Sequence, residues 1–314
     1  MAAANLANTT DLNKVHYIRE ALPVVERNLV FAKFGQVDEM PRGDGNSFRF
    51  IRFTKLGTTA SDYTANTSGD SPEWAPSTPA DTLLNVTPDF LFGPGYEWNE
   101  AREYTSWVSL PANLRKNVSL QAAEVFDLRV RDIVIAGTNV VYANGRASRD
   151  ELTSADVIDM DDIFRAVENL KANDAKPLAK VGNFACIISP YTERSLLTDT
   201  AFRDLVEHSR AKDEFAGHLG SLGGVDFFVT THAPSIADSG SASSVGYVEQ
   251  TLIVGEGAYG VTKILYDNFD IIYTAPGGHG DEWKNKHKLT WKAAMKAVIL
   301  DENNMVRLES SRAS

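Results

Sequence analysis

Residues 111–142 run PANLRKNVSLQAAEVFDLRVRDIVIAGTNVVY, and the spacing of apolar residues in this stretch decides the fold. Val118, Ala122, Phe126, Val130 and Ile133 fall at four- and three-residue steps, which stacks them on one face of a 3.6-residue helix. Arg115, Lys116, Glu124, Arg129, Arg131 and Asp132 fill much of the remainder, as expected of a helix with one buried stripe. Ser109 can cap the start, Pro111 fits a first turn where its missing N–H costs nothing, and Gly137 is a candidate breaker. About 26 helical residues at ~1.5 Å each would make a rod of roughly 40 Å, against ~12 residues for an ordinary domain helix. In a chain otherwise rich in strand signals, such a rod implies a scaffold on which other pieces hang.

Upstream of the rod, two strand signals flank a long polar insert. SFRFIRFTKL, Ser47–Leu56, sets Phe48 and Phe50 on one face and Arg49, Ile51 and Phe53 on the other. TLLNVTPDFLF, Thr82–Phe92, is the second, closed by Gly93–Gly95. Between them Gly57–Asp81 is rich in Thr, Ser, Ala, Pro, Gly and Asp, with no apolar period. This reads as a hairpin with an irregular tip of about twenty-five residues, a length found mainly in functional or disordered loops. Trp74 in the tip is either a contact residue for a partner or folds back on its own hairpin. Residues 1 to about 15 are small and polar, and His16–Phe34 reads as a short helix or extended arm that docks elsewhere.

Downstream, a polar connector at Asn144–Thr153 leads to a helix over Asp159–Ala172, capped by Asp159, with Met160, Phe164, Val167 and Leu170 expected on its inner face. The texture then becomes α/β. Strands are expected at Phe184–Ser189, Val225–Thr231, Thr251–Val254 and Val261–Tyr273, and helices at Pro190–Leu197 and Ala201–Arg210. Ile236–Gly246 reads as a loop. The tail, His287–Leu308, reads as a terminal antiparallel pair with a turn at Glu302–Asn304.

The 314 residues suit one large or two moderate domains, and 43% hydrophobic content supports an ordinary core. With 31 basic and 42 acidic residues the net charge is −11, which argues against a broad phosphate-gripping surface. Cys186 is the only cysteine, so no intrachain disulfide or Cys-based zinc site forms, and its setting in FACIIS reads as a small buried hydrophobe. No signal peptide or transmembrane run is expected, consistent with a soluble protein made inside a cell.

Few stretches offer chemistry. GEGAYG, Gly255–Gly260, fits G-x-G-x-x-G, but the β-branched residues after it predict a strand where dinucleotide binding needs a helix. Asp159, Asp161 and Asp162 read as helix-capping charge more simply than as a cation site. GGHGDEW, Gly277–Trp283, places His279, Asp281 and Glu282 in one glycine-rich loop, the best metal candidate, though distant partners are missing. His208, His218 and His232 share no ligating spacing. The reading is therefore no catalytic, cofactor-binding or metal residues and no cofactor: a non-enzyme.

Several local motifs carry a resemblance. IAGTNVVYANG at Ile135–Gly145, ISPYTERSLLTD at Ile188–Asp199, LGGVDFFVTTHAP at Leu222–Pro234, GEGAYG, and LTWKAAMKAVIL at Leu289–Leu300 together resemble the major capsid proteins of tailed bacteriophages, the Hong Kong-type coat fold, and are most similar to the coat proteins of N4-like phages.

The resemblance implies an α+β fold with three parts: an N-terminal arm over 1–34; a peripheral domain from 35–159 and 261–314, containing an extended β-hairpin, the E-loop, at about 46–95 and a spine helix at about 111–138; and an α/β axial domain over 160–260. It implies hexamers and pentamers of many copies forming an icosahedral shell around double-stranded DNA in the virion, assembled in the bacterial host cytoplasm. A separate scaffolding protein, a portal and cement proteins are the implied partners, with no sequence-specific DNA binding and no membrane. Some relatives lock their shells through a Lys–Asn isopeptide bond, but no lysine lies between Lys55 and Lys116, so that chemistry is not carried over. An encapsulin-like nanocompartment and a cytoplasmic α/β enzyme using GEGAYG and the His279 loop are the rival readings.

Overall fold

The structure, a computed structural model, describes residues 29–40, 47–53, 81–106, 110–179, 182–203, 218–237, 246–264, 269–277 and 281–312. Their mixed α+β architecture divides into two compact units. The first draws on Phe92–Ala123 and Asp270–Lys292, the second on Arg27–Leu91, Glu124–Phe269 and Ala293–Ser314.

The second unit is built on a seven-stranded mixed sheet. Its strands follow the order Val140–Tyr142, Met305–Ser311, Tyr247–Val254, Phe184–Ile188, Val225–Val229 and His218–Leu222, with Ser235–Ala237 also paired to Tyr247–Val254. Phe184–Ile188 is buried along its whole length. Phe184, Cys186 and Ile188 enter one core, while Ala185 and Ile187 enter another on the opposite face. This is why FACII is continuously apolar: a strand covered on both sides has no wet face to alternate with. The helix Met160–Ala172 covers the first face through Met160, Ile163, Val167 and Leu170. Val130 and Val134 of the long helix Leu110–Val134, with Val30 and Phe31, join the second core. Each large apolar side chain so buried is worth ~1.5–3 kcal/mol.

Two further strand groups belong to this unit. Gln36–Met40 runs parallel to Tyr259–Ile264, which pairs antiparallel with Met295–Ile299 of the long strand Lys286–Ile299. Phe48–Phe53 pairs antiparallel with Asp81–Val86, Phe48 opposite Val86 and Ile51 opposite Leu83.

In the first unit, Tyr96–Asn99 pairs antiparallel with Lys286–Leu289. Trp98 is buried and stacks on His287, ring centroids 5.3 Å apart and 7° from parallel. Tyr273 Oη and His287 Nδ1 lie 2.7 Å apart, and the Trp98 indole donates to Glu103 at 3.2 Å. Gly93 lies against the Trp291 ring, where any Cβ would overlap the indole, so the GPG turn needs glycine there.

Several sequence expectations meet corrections. The long helix spans 25 residues and ends at Val134, short of 138, with Ile133 half-buried. Its buried positions are Val118, Ala122, Asp127, Val130 and Val134. Phe164 is 42% exposed; Ile163 and Ala166 take the inner face of Met160–Ala172. The run Thr82–Phe92 breaks at Thr87 and Pro88 into Asp81–Val86 and Asp89–Phe92, since proline cannot donate to a ladder. The tail is no hairpin: Lys286–Ile299 pairs with Tyr259–Ile264, whereas Met305–Ser311 pairs with Tyr247–Val254 and Val140–Tyr142. A short connection favours a hairpin by default, but Met305–Ser311 is buried at six of its seven positions, so a two-sided berth inside the larger sheet wins. Trp74, His16, His208 and the rest of Gly57–Ala80 lie outside the described residues.

Candidate functional site

The stretches singled out for chemistry are occupied by structural tasks. GEGAYG links the strands Tyr247–Val254 and Tyr259–Ile264, and no helix follows it. Gly255 N–H donates to the Asn304 carbonyl at 2.8 Å and Glu256 N–H to the Lys176 carbonyl at 2.9 Å. Gly257 sits at φ +71°. The motif is thus a tight turn clamped by two neighbouring segments.

Asp159 caps Met160–Ala172 and forms a reciprocal capping box with Asp162. Asp161 pairs with Arg165 at 2.7 Å. Asp162 is buried and also accepts from Asn144 N–H at 2.9 Å. Burial, with the nearby Asp159 charge, pushes its carboxyl up to about 6. The connector before this helix is tied down too: Asp156 accepts from Asn144, Arg146 and Thr153. Those bonds outweigh the opposing effect of burial and hold its carboxyl well below the usual range.

In the GGHGDEW loop, Asp281 accepts three backbone N–H bonds, from Gly277 at 2.9 Å, Asn285 at 3.0 Å and Lys286 at 2.9 Å. The Asn285 bond leads in lowering its pKa. Its oxygens organise the turn, Glu282 and Trp283 are exposed, and His279 lies outside the described residues. Among the described residues no group of three or more His, Cys, Asp or Glu side chains could hold a metal ion, and no helix is long and apolar enough to cross a membrane. Cys186 is buried, and burial pushes its thiol up.

Two buried polar clusters fall outside the residues singled out from the sequence. Asp127, wholly buried in the long helix, accepts from Ala32 N–H at 3.1 Å and lies 3.2 Å from His232 Nδ1. Glu309, also wholly buried, accepts from the Arg149 fork at 2.7 and 2.6 Å and from Gln250 at 3.0 Å. Burial alone would raise Glu309, but these partners with Arg307 keep it below the ordinary glutamate value. One signal existed for Asp127: with Val130 and Val134 it completes the three- and four-residue steps of the buried face.

The surface feature that stands out is the ribbon Phe48–Phe53/Asp81–Val86. Phe48 and Val86 are buried on one face, packed with Phe50, Leu84 and Val298. On the other face Ile51 and Leu83 sit directly opposite each other and are 54% and 48% exposed. Arg49 donates to Asn85 at 2.9 Å beside them. A two-stranded ribbon is marginal by itself, and this one carries apolar side chains on both faces with its own chain covering one.

Neither protein-family models nor curated protein sequences match the chain. Solved structures do. The capsid of Ralstonia phage GP4 matches with a TM-score of 0.76 at 14% identity, covering 100% of this chain and 99% of that one. The capsid of cyanophage Pam1 matches at 0.71 and 12% identity, over 99% and 100% of the two chains, and that of cyanophage P-SCSP1u at 0.68 and 15%, over 98% and 97%. The fold is that of the phage major capsid proteins. At these identities the likeness lies in element order and topology, which fits a fold held by layout. The expected α+β class, with hairpin strands and a long helix, stands in the structure.

Proposed function

We propose that this chain is the major capsid protein of a tailed bacteriophage, assembling as hexamers and pentamers into an icosahedral shell around double-stranded DNA. The observation that carries the reading is end-to-end coverage of both chains in the match to the GP4 capsid. The ribbon supports it, because an apolar face left open on a subunit suits an identical neighbour repeated around a closed shell. Shells gain their specificity from many such extended contacts.

In this reading the hairpin at about 46–95 is the E-loop that lies over the adjacent subunit, and the long helix is the spine of a peripheral domain drawn from 35–159 and 261–314. Residues 160–260 form the axial domain around the capsomer axis, and 1–34 are the arm. The kinship with N4-like phages belongs to the same proposal, supported by motifs such as ISPYTERSLLTD. So do a separate scaffolding protein, a portal, cement proteins, assembly in the host cytoplasm and the absence of catalysis. The acidic balance, −11, suits a lining along which packaged DNA slides.

The test is to express the full chain alone and with its scaffold and to image the products by electron microscopy. Closed shells of uniform size are expected. A concentrated monomer that never closes into particles with any scaffold would overturn the reading, and shells packed with enzyme in place of DNA when isolated from the native host would redirect it.

A further inference from the structure

A cavity of about 450 Å³ in the second unit is walled by Arg131, Arg149, Arg307, Gln250 and the Ala233–Ile236 segment. That volume is within the ordinary range of small-ligand sites. Its charged wall residues are all arginines, three of them with no carboxylate, in a protein whose net charge is −11.

The neighbouring acids only partly answer this charge. Glu309 sits behind the wall, wholly buried, and serves both Arg149 and Arg307. Asp132 pairs with Arg131 at 2.6 Å but is itself 57% exposed, where an ion pair is weak. Three guanidiniums against two carboxylates leave one positive charge at the cavity.

Arg131 spends Nε and Nη2 on Asp132 and Nη1 on the His232 carbonyl, so the donor capacity that remains lies on the other two arginines. Arg149 uses Nε and Nη2 on Glu309, and its Nη1 has no hydrogen bond among the described residues. Arg307 uses Nη1 on the Ile135 and Gly137 carbonyls, leaving Nη2 in the same condition. Those carbonyls follow the C-terminal end of the long helix, so the negative pole there is already capped by a cation and does not repel an incoming anion.

We propose that this cavity binds a free, small, multivalent oxyanion of the phosphate and pyrophosphate class. A monocarboxylate is satisfied by one guanidinium fork, a part that Glu309 already fills from behind. A tetrahedral anion accepts from several sides at once, which matches the remaining Nη1 of Arg149 and Nη2 of Arg307 beside the Arg131 charge, on three different elements. Nucleic-acid backbone is the weaker candidate, since polyanion binding draws on many cations along a track and this chain is acidic. The proposal is independent of the capsid reading.

The experiment is isothermal titration of the purified full-length chain, dialysed free of phosphate, with pyrophosphate, with orthophosphate, and with sodium chloride at matched ionic strength. Saturable binding of one pyrophosphate per chain is expected, with only nonspecific heat from chloride. Arg131→Gln removes one of the three positive charges of the wall and should weaken binding about tenfold or more. Arg129→Gln, an exposed change two residues away, should leave it intact. Ser235→Asp adds a carboxylate at an exposed wall position and should abolish binding, which keeps the test open should Arg131→Gln fold poorly. No saturable pyrophosphate binding, or equal binding by the Ser235→Asp and Arg129→Gln proteins, would overturn the proposal. So would a thymidine oligonucleotide that binds more tightly than pyrophosphate and is lost in the Ser235→Asp protein.

Discussion

The carboxylate of Asp127 lies 3.2 Å from Nδ1 of His232, with both side chains almost fully removed from water. Asp127 also takes the Ala32 N–H, and the adjacent Phe31 carbonyl accepts from the Tyr259 hydroxyl. One buried acid therefore fastens a loop and the Val30–Phe34 segment to the long helix. Asp127→Ala should destabilise the subunit by about 3–5 kcal/mol, because it strips a buried donor and a buried imidazole of their shared acceptor. Asp127→Asn keeps one acceptor oxygen and should cost clearly less. Urea unfolding of the three proteins gives the order, and an alanine variant as stable as the asparagine one would refute the anchoring role.

Asp162 sets a pH window. Its folded-state pKa is about 6, raised first by burial and then by Asp159, from an ordinary value of 3.8. Between those values the folded state holds a proton that the unfolded state has released, so stability falls as pH rises from about 4 through 6, by about 2–3 kcal/mol in all. Asp156 and Glu309 are shifted downward, so their contributions are lost only as pH falls below about 4.5 and do not act between pH 4.5 and 6.5. Asp162→Asn should flatten the profile between pH 4.5 and 6.5, read from urea midpoints. An unchanged slope in that variant would assign the window to other groups.

Gly255 and Gly257 of the GEGAYG turn should fail in different ways. A Cβ on Gly255 would sit 2.6 Å from the Lys176 carbonyl oxygen, a backbone atom that cannot swing aside. Gly257 has room but sits at φ +71°. Gly255→Ala should cost about 2–3 kcal/mol and Gly257→Ala about 1 kcal/mol, measured by thermal or urea unfolding. A reversed order would mean that the clamp by Lys176 and Asn304 yields easily.

The ribbon separates folding from assembly. Ile51 and Leu83 are about half exposed, so Ile51→Lys with Leu83→Lys should leave the unfolding midpoint of the unassembled subunit within about 0.5 kcal/mol. The same pair should sharply reduce closed particles by sedimentation and microscopy. Normal shells from the double variant would remove the ribbon's outer face from the proposed contact.

What the residues disclosed in advance was whatever is local. The rod follows from its own spacing, the helix cap from Asp159, and the ribbon from two strand signals astride a polar insert. Partner choice between distant strands is not local. Nothing inside Met305–Ser311 says that it leaves Lys286–Ile299 for Tyr247–Val254, because that preference comes from the total surface each berth covers. Phe164 misleads, and the role of Asp127 goes unread, for a similar reason. Helical spacing is blind to Gly223, which packs under the Phe164 ring, and to the loop that brings His232 to Asp127. The arginine cavity gathers Arg131, Arg149 and Arg307 from remote stretches, so no motif could announce it.

The berth of Met305–Ser311 also bears on biosynthesis. Its neighbours in the sheet, Val140–Tyr142 and Tyr247–Val254, are translated well before it, yet both must keep an edge vacant for it. The sheet's interior is thus finished by its latest-made strand, a topology of long sequence separations that folds slowly. A nascent chain stalled before residue 305 would therefore hold two raw edges in this sheet, which closes only once that strand has been made.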